Sequence, residues 1–415
     1  MSELTKNAII YMPDGEVRAV FHILHGMAEY QGRYREFAHF LAEHGFAVVT
    51  SDLRGHGINT ARETELGFFG DNAVSRLVGD VHDITQYIKD HFPHIPCFLF
   101  GHGIGALLAT VYIKKYDNYI DGLFLCGMPA DKPLRPAADL LTMVLMAMRG
   151  EYHRSSLLNY LIMGSYYRPF AREGSEFAWL SSDRDSVLKY EINPKCGYIY
   201  TLNGFKTILD LMNRTYTKGS WIKKQTELPI RLFWGEDDSC AAGKNGVLKT
   251  VHLYSDNGYT DVGYIIYPGQ RHELFQDFCR EKIWQDLLEQ VESCLAAIPD
   301  VPEKAAATPK HIVLEDFVDP EIDRPMVRDE KLNLEEYIDK DAHPKVEMID
   351  FADIEAVISG AGSEESSGAK AETSSVSASH EGSDPVSQKT PPEEEFHPLD
   401  DFDGFKIDPN ITDGL

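Results

Sequence analysis

Apolar residues along this chain gather into short Val-, Ile- and Phe-rich blocks, separated by longer stretches in which apolar and polar positions recur at helical spacing. The blocks Ala19–Leu24, Ala47–Ser51, Cys97–Phe100, Gly122–Cys126, Ile230–Trp234 and Val262–Tyr267 predict strands, because a near-continuous apolar run is what a strand covered on both faces requires. Leu77, Val81, Ile84 and Ile88 fall on one stripe and predict a helix packed against the sheet. Such alternation predicts an α/β fold, with a mostly parallel central sheet and helices on both faces.

Two regions break the alternation. Residues from about 130 to 225 carry a Met- and Leu-rich segment, Leu140–Met148, and an aromatic cluster of Tyr166, Tyr167, Phe170, Phe177 and Trp179. This reads as an inserted helical cap; an apolar inner face would suit an acyl chain, but Met and aromatic stripes at helical spacing are more often ordinary core. After Leu295 the chain turns rich in Pro, Glu, Asp and Ser, and 359–392 is of low complexity. Such a composition buries too little surface to offset chain entropy. The expected organisation is therefore a domain over 1–298 and an acidic, largely disordered tail over 299–415. Two apolar islands, His311–Val318 and Val346–Ile358, are either recognition elements or incidental.

Charge sharpens this division. The net charge is −26, and 301–415 holds about 29 acidic against about 10 basic residues, so roughly −19 lies in the tail. This surplus argues against nucleic acid or anionic membrane as a partner, since phosphate binding needs clustered Lys and Arg. A basic protein partner, for the tail above all, or metal cations remain open. The longest apolar stretch, Leu140–Met148, is too short for an integral membrane segment. Six widely spaced cysteines without a CxxC pair, and a polar start from Met1 to Glu16 unlike a signal peptide, lead to the expectation of a cytoplasmic protein with reduced thiols.

The chemistry concentrates in Phe98–Ala106, which reads Phe-Leu-Phe-Gly-His-Gly-Ile-Gly-Ala. An apolar strand, a glycine-flanked turn and a helix starting near Gly105 are the setting of the nucleophile elbow G-x-S-x-G. Gly101 and Gly105 hold the outer glycine positions and Gly103 the central one. Further along, strand Ile230–Trp234 leads into Gly235-Glu236-Asp237-Asp238, and Val262–Tyr267 leads into Pro268-Gly269-Gln270-Arg271-His272. Nucleophile, acid and histidine follow in the chain order of this elbow's fold. His272 is assigned as the base and Asp238 as its orienter, with Asp237 the less favoured acid. Upstream, His25-Gly26-Met27-Ala28-Glu29 follows the first buried strand, where a backbone turn aims an N–H at a developing oxyanion. Met27 N–H and Ile104 N–H are the expected donors. In Asp52-Leu53-Arg54-Gly55-His56-Gly57 the charges are expected to brace loops. No cofactor is called for, and no ligand spacing makes a metal site of His22, His25, His56 and His102.

Together, His25–Glu29, Asp52–Gly57, Gly101–Gly105, Gly235–Asp238 and Gly269–His272 resemble the monoacylglycerol lipase and lysophospholipase group of α/β-hydrolases, over about Tyr11 to Leu295. The resemblance implies a Ser-Asp-His hydrolase of monoacyl lipids or small esters, with a cap over the site. It also locates three departures: Gly103 where the group has serine, Ala106 where it has glycine, and Ser239-Cys240 where it usually has a Pro-containing segment. Glycine supplies no attacking atom. The expectation is a hydrolase-like protein with impaired catalysis that keeps a ligand pocket. Two alternatives stand beside it: an enzyme using His272 and Asp238 as a general base without a covalent step, and an interaction protein acting through its tail.

Overall fold

The computed structural model describes residues 7–60, 62–219, 221–298 and the pair 397–398. All six predicted blocks are strands: β2 (Ala19–Leu24), β3 (Phe46–Ser51), β4 (Cys97–His102), β5 (Gly122–Cys126), β6 (Ile230–Gly235) and β7 (Val262–Tyr267). They pair in parallel in the order β3-β2-β4-β5-β6-β7. Two strands escape the sequence pattern because each is too short to form an apolar block. β1 (Ile9–Tyr11) pairs antiparallel with β3, and β8 (His397–Pro398) antiparallel with β7. Apart from β8, the tail and its two apolar islands lie outside the described residues.

Helices cover both faces. On one side α2 (Ala73–His91), carrying the predicted stripe, and α3 (Ile104–Tyr116) share a core with Leu99, Leu123, Leu125 and Leu232. On the other, α1 (Arg35–Glu43) and α9 (Arg280–Ala297) bury Phe37, Leu41, Ile283 and Leu287 against Phe21, Phe98, Phe100 and Phe124. Alternate residues of the central strands thus feed opposite cores, which explains why these strands are apolar at every position.

Between β5 and β6 the chain forms α4 (Arg135–Arg149), α5 (Ser156–Tyr167), α6 (Arg184–Glu191) and α7 (Leu202–Tyr216). Of these, α7 packs into the sheet-side core through Leu202, Phe205, Ile208 and Leu211. The aromatic cluster is partly core in its own right, with Tyr166 and Trp179 buried and Tyr167, Phe170 and Phe177 packed on them. On α4, Leu140, Met143, Val144 and Met148 are exposed. β6, α8 (Gly243–Ser255) and β7 then complete the layer.

Strand register positions the site. Leu24 lies beside Gly101, His102 beside Cys126, and Gly235 beside Tyr267. The loops leaving β2, β4, β5, β6 and β7 therefore emerge along one edge, at the carboxyl ends of parallel strands where α/β folds assemble their sites.

Inside the sheet, His22 on β2 is fully buried, with neither ring nitrogen hydrogen-bonded, and burial pushes its pKa down to about 3. A neutral buried histidine costs stability once the unfolded chain protonates, so the loss starts as pH falls through about 6.5 and continues to about 3. His22→Leu should remove about 1.4 kcal/mol of acid destabilisation per pH unit in that window. Denaturant melts at pH 7, 5.5 and 4 measure it, and an unchanged pH slope in the variant would refute the assignment.

Candidate functional site

The turn after β4 is built around Gly103, whose backbone is at φ 53° and ψ −114°. The first value lies in the region that favours glycine and that other residues occupy only at a cost. Gly103 N donates to Cys126 O at 3.0 Å, tying the turn to β5, and its carbonyl accepts from Ala106 N at 3.1 Å as α3 begins. Gly105 is required for a different reason: a Cβ there would collide with the carbonyls of Leu24 and His25. This close approach brings the first turn of α3 against the loop after β2. Ile104 opens α3, so its N–H has no carbonyl one helical turn back to satisfy it.

The other assigned residues converge on the same turn. A Cβ built on Gly103 would lie 3.4 Å from His272 Nε2, 3.6 Å from Gly26 Cα and 3.9 Å from Met27 N. Opposite Nε2, His272 Nδ1 meets Asp238 Oδ2 at 3.0 Å, and the Asp238 side chain is completely buried. Asp237, the less favoured acid, is exposed. Asp238 Oδ1 also accepts Cys240 N at 2.8 Å, which fixes the carboxylate's orientation. Burial alone would lower the His272 pKa; the charge of Asp238 and its hydrogen bond overcome this and raise it. The Trp179 ring lies 4.8 Å from the imidazole and the His102 ring 4.7 Å.

Much of what holds the site was not legible as a motif. Arg33 lies between two buried carboxylates: Nη1 contacts Glu29 Oε2 at 2.5 Å, and a fork of two 2.6 Å bonds reaches both oxygens of Glu273. Glu29 Oε1 in turn accepts Gly26 N, Tyr34 Oη and His102 Nδ1. Burial would raise the Glu29 pKa, but Arg33 and His102 hold it well below the usual carboxylate range. The network joins the loop after β2, the end of β4 and the residue following His272. Its longest link spans 240 positions, so no local pattern announces it. A second brace runs through Tyr200, whose hydroxyl accepts Ala28 N at 2.8 Å and bonds His56 Nε2 at 2.5 Å. In the Asp52–Gly57 segment the charges brace loops: Asp52 accepts Gln31 N and Ile58 N, and Arg54 pairs with Asp80 at 2.6 Å.

An apolar cavity opens onto Gly103 and His272. Leu107, Met163, Tyr166, Trp179 and Phe205 are among its walls, so residues 130–225 supply much of its lining. Chemically, the arrangement offers a histidine–carboxylate pair and the Met27 amide around a point with no side chain, at the start of α3.

Because Asp238 raises the His272 pKa, the pair's contribution to stability is fully present below about pH 6.5 and fades as pH climbs through the raised value. Asp238→Asn should therefore lower the unfolding midpoint more at pH 6 than at pH 9. An equal or larger gap at pH 9, by thermal melts, would contradict the pairing.

Comparison with known proteins finds similarities to hydrolases. A monoacylglycerol lipase of Mycolicibacterium smegmatis is 22% identical over 286 residues, covering 69% of this chain and 92% of that one. A mouse monoglyceride lipase is 29% identical over a shorter stretch of 115 residues, 28% of this chain and 36% of that one. Among solved structures, a thermostable carboxyl esterase from Bacillus coagulans superposes with a TM-score of 0.64 at 24% identity, covering 69% of this chain and 94% of that one. A monoglyceride lipase from Saccharomyces cerevisiae, at 19% identity and a TM-score of 0.55, covers 69% and 91%. These similarities show the α/β-hydrolase fold. The family model described as serine aminopeptidase, S33, matches residues 15–278, well over half of the chain, and the protein belongs to that family.

Proposed function

We propose that this protein is a catalytically impaired member of its family that binds a small ester or monoacyl lipid in the capped cavity. The observation carrying the reading is the surroundings of Gly103. A side chain added there would start 3.4 Å from His272 Nε2 and 3.9 Å from Met27 N, so base and amide donor surround a position with no nucleophile. In this reading Gly103 occupies the position of a serine nucleophile, His272 is the base, Asp238 holds its tautomer, and Met27 N–H and Ile104 N–H are the oxyanion donors. Acyl transfer then lacks only its attacking atom. The substrate class rests on the monoacylglycerol and monoglyceride lipases among the relatives, together with the apolar lining. The remaining amides and cavity retain the means to hold an ester carbonyl and its chain.

Hydrolysis of short-chain and monoacylglycerol esters by the native chain, by Gly103→Ser and by Gly103→Ser with His272→Ala separates the possibilities. The serine variant should exceed the native chain by on the order of 10³-fold or more and lose that gain without His272. His272-dependent native activity matching that of the serine variant would sink the proposal. Serine placed at φ 53° should also cost about 1–3 kcal/mol, so its unfolding midpoint should fall; an unchanged midpoint would argue against a strained elbow. A monoacylglycerol should raise the midpoint of the native chain by binding only the folded state.

A further inference from the structure

The residues that orient His272 also form a donor set of another kind. Asp238, Cys240 and His272 each present one ligand-type atom, a carboxylate oxygen, a thiol sulfur and a ring nitrogen, and these lie within 4.8 Å of one another. All three residues are buried, and this is the one such group among the described residues. Four-coordinate zinc with bonds of about 2.0–2.3 Å sets its ligand atoms about 3.3–3.8 Å apart. The cluster therefore needs to close by roughly an ångström at its widest, while the 3.0 Å His272–Asp238 contact opens slightly.

The chain builds this cluster locally. Asp238 caps the short turn Ser239–Ala241 by accepting Cys240 N, which keeps the carboxylate and the thiol two residues apart on one turn. Cys240 and His272 both line the apolar cavity, through which an ion and a fourth ligand can enter. Nitrogen and sulfur donors select a zinc-like ion over magnesium or calcium, which take oxygen ligands.

We propose that Asp238, Cys240 and His272 form a binding site for a zinc-type divalent transition metal. The site needs no ligand in the cavity, but it shares His272 and Asp238 with the ester-binding reading, and a metal there would replace the hydrogen bond between them.

Titration of the metal-free, full-length chain with cobalt(II) tests it. Thiolate-bound cobalt gives an intense near-ultraviolet charge-transfer band, whereas oxygen ligands from the acidic tail do not, and no cysteine lies beyond residue 298. The band should saturate at one cobalt per chain and disappear when zinc is added. It should be lost in Cys240→Ser and in His272→Ala, and kept in Cys279→Ser, which removes the one cysteine that is not fully buried. Absence of the band in the unaltered chain overturns the site, as does its survival in Cys240→Ser or its loss in Cys279→Ser. Cys240→Ala, with its thermal transition checked by circular dichroism, gives a second variant should the serine one unfold.

Discussion

One half-buried guanidinium holds together the edge that carries the candidate site. Arg33 satisfies Glu29 and Glu273, whose side chains are 1% and 3% exposed, and without it two carboxylates would face each other away from water. Breaking a buried pair by removing one partner typically costs about 3–5 kcal/mol, far more than a surface ion pair contributes. The energy is less informative than the connectivity. Glu29 fixes Gly26 and His102, while Glu273 adjoins His272, so the amide-bearing loop, the elbow and the imidazole take their positions from one cation. A small rotation of that side chain would be felt at all three.

The sheet was legible because each central strand is covered twice. A strand such as Phe98–Leu99–Phe100 sends alternate residues into two separate cores, so every position is apolar and the block stands out. The residues that gather around Gly103 were legible for a related reason: glycines and charged residues just after an apolar block mark a tight turn at a strand end, and register aligns those ends. What escaped is what depends on distant pairing. β1 and β8 are three and two residues long and take their identity from a neighbouring strand. The Arg33–Glu273 fork and the Tyr200 bridge to Ala28 join residues far apart in sequence, and His22 is simply a polar residue inside an apolar run. Cys240 was visible only as an unusual residue after the acid; its nearness to His272 is a product of folding.

Pre-organisation around Gly103 does not require a side chain there. The turn is set by the Gly103 N–H to Cys126 carbonyl bond and by the contact of Gly105 with the carbonyls of Leu24 and His25, all backbone constraints. His272 is set by Asp238, and the loop of Met27 by Glu29 and Tyr200. Each part of the edge is thus determined by something other than the residue at its centre.

The nearness of Trp179 to His272 makes this edge visible to light. The chain has four tryptophans; Trp221 lies beneath Lys114, Trp284 packs on Phe37 and Phe40, and Trp234 bonds Met128 O within the core. Trp179 alone among them lies against the imidazole, 4.8 Å away, and lines the cavity. An imidazolium quenches indole emission more strongly than a neutral ring, and an apolar guest displacing water shifts that emission to the blue. Intrinsic fluorescence therefore carries a component belonging to the site itself, so that its protonation and occupancy can be followed without label, substrate or turnover.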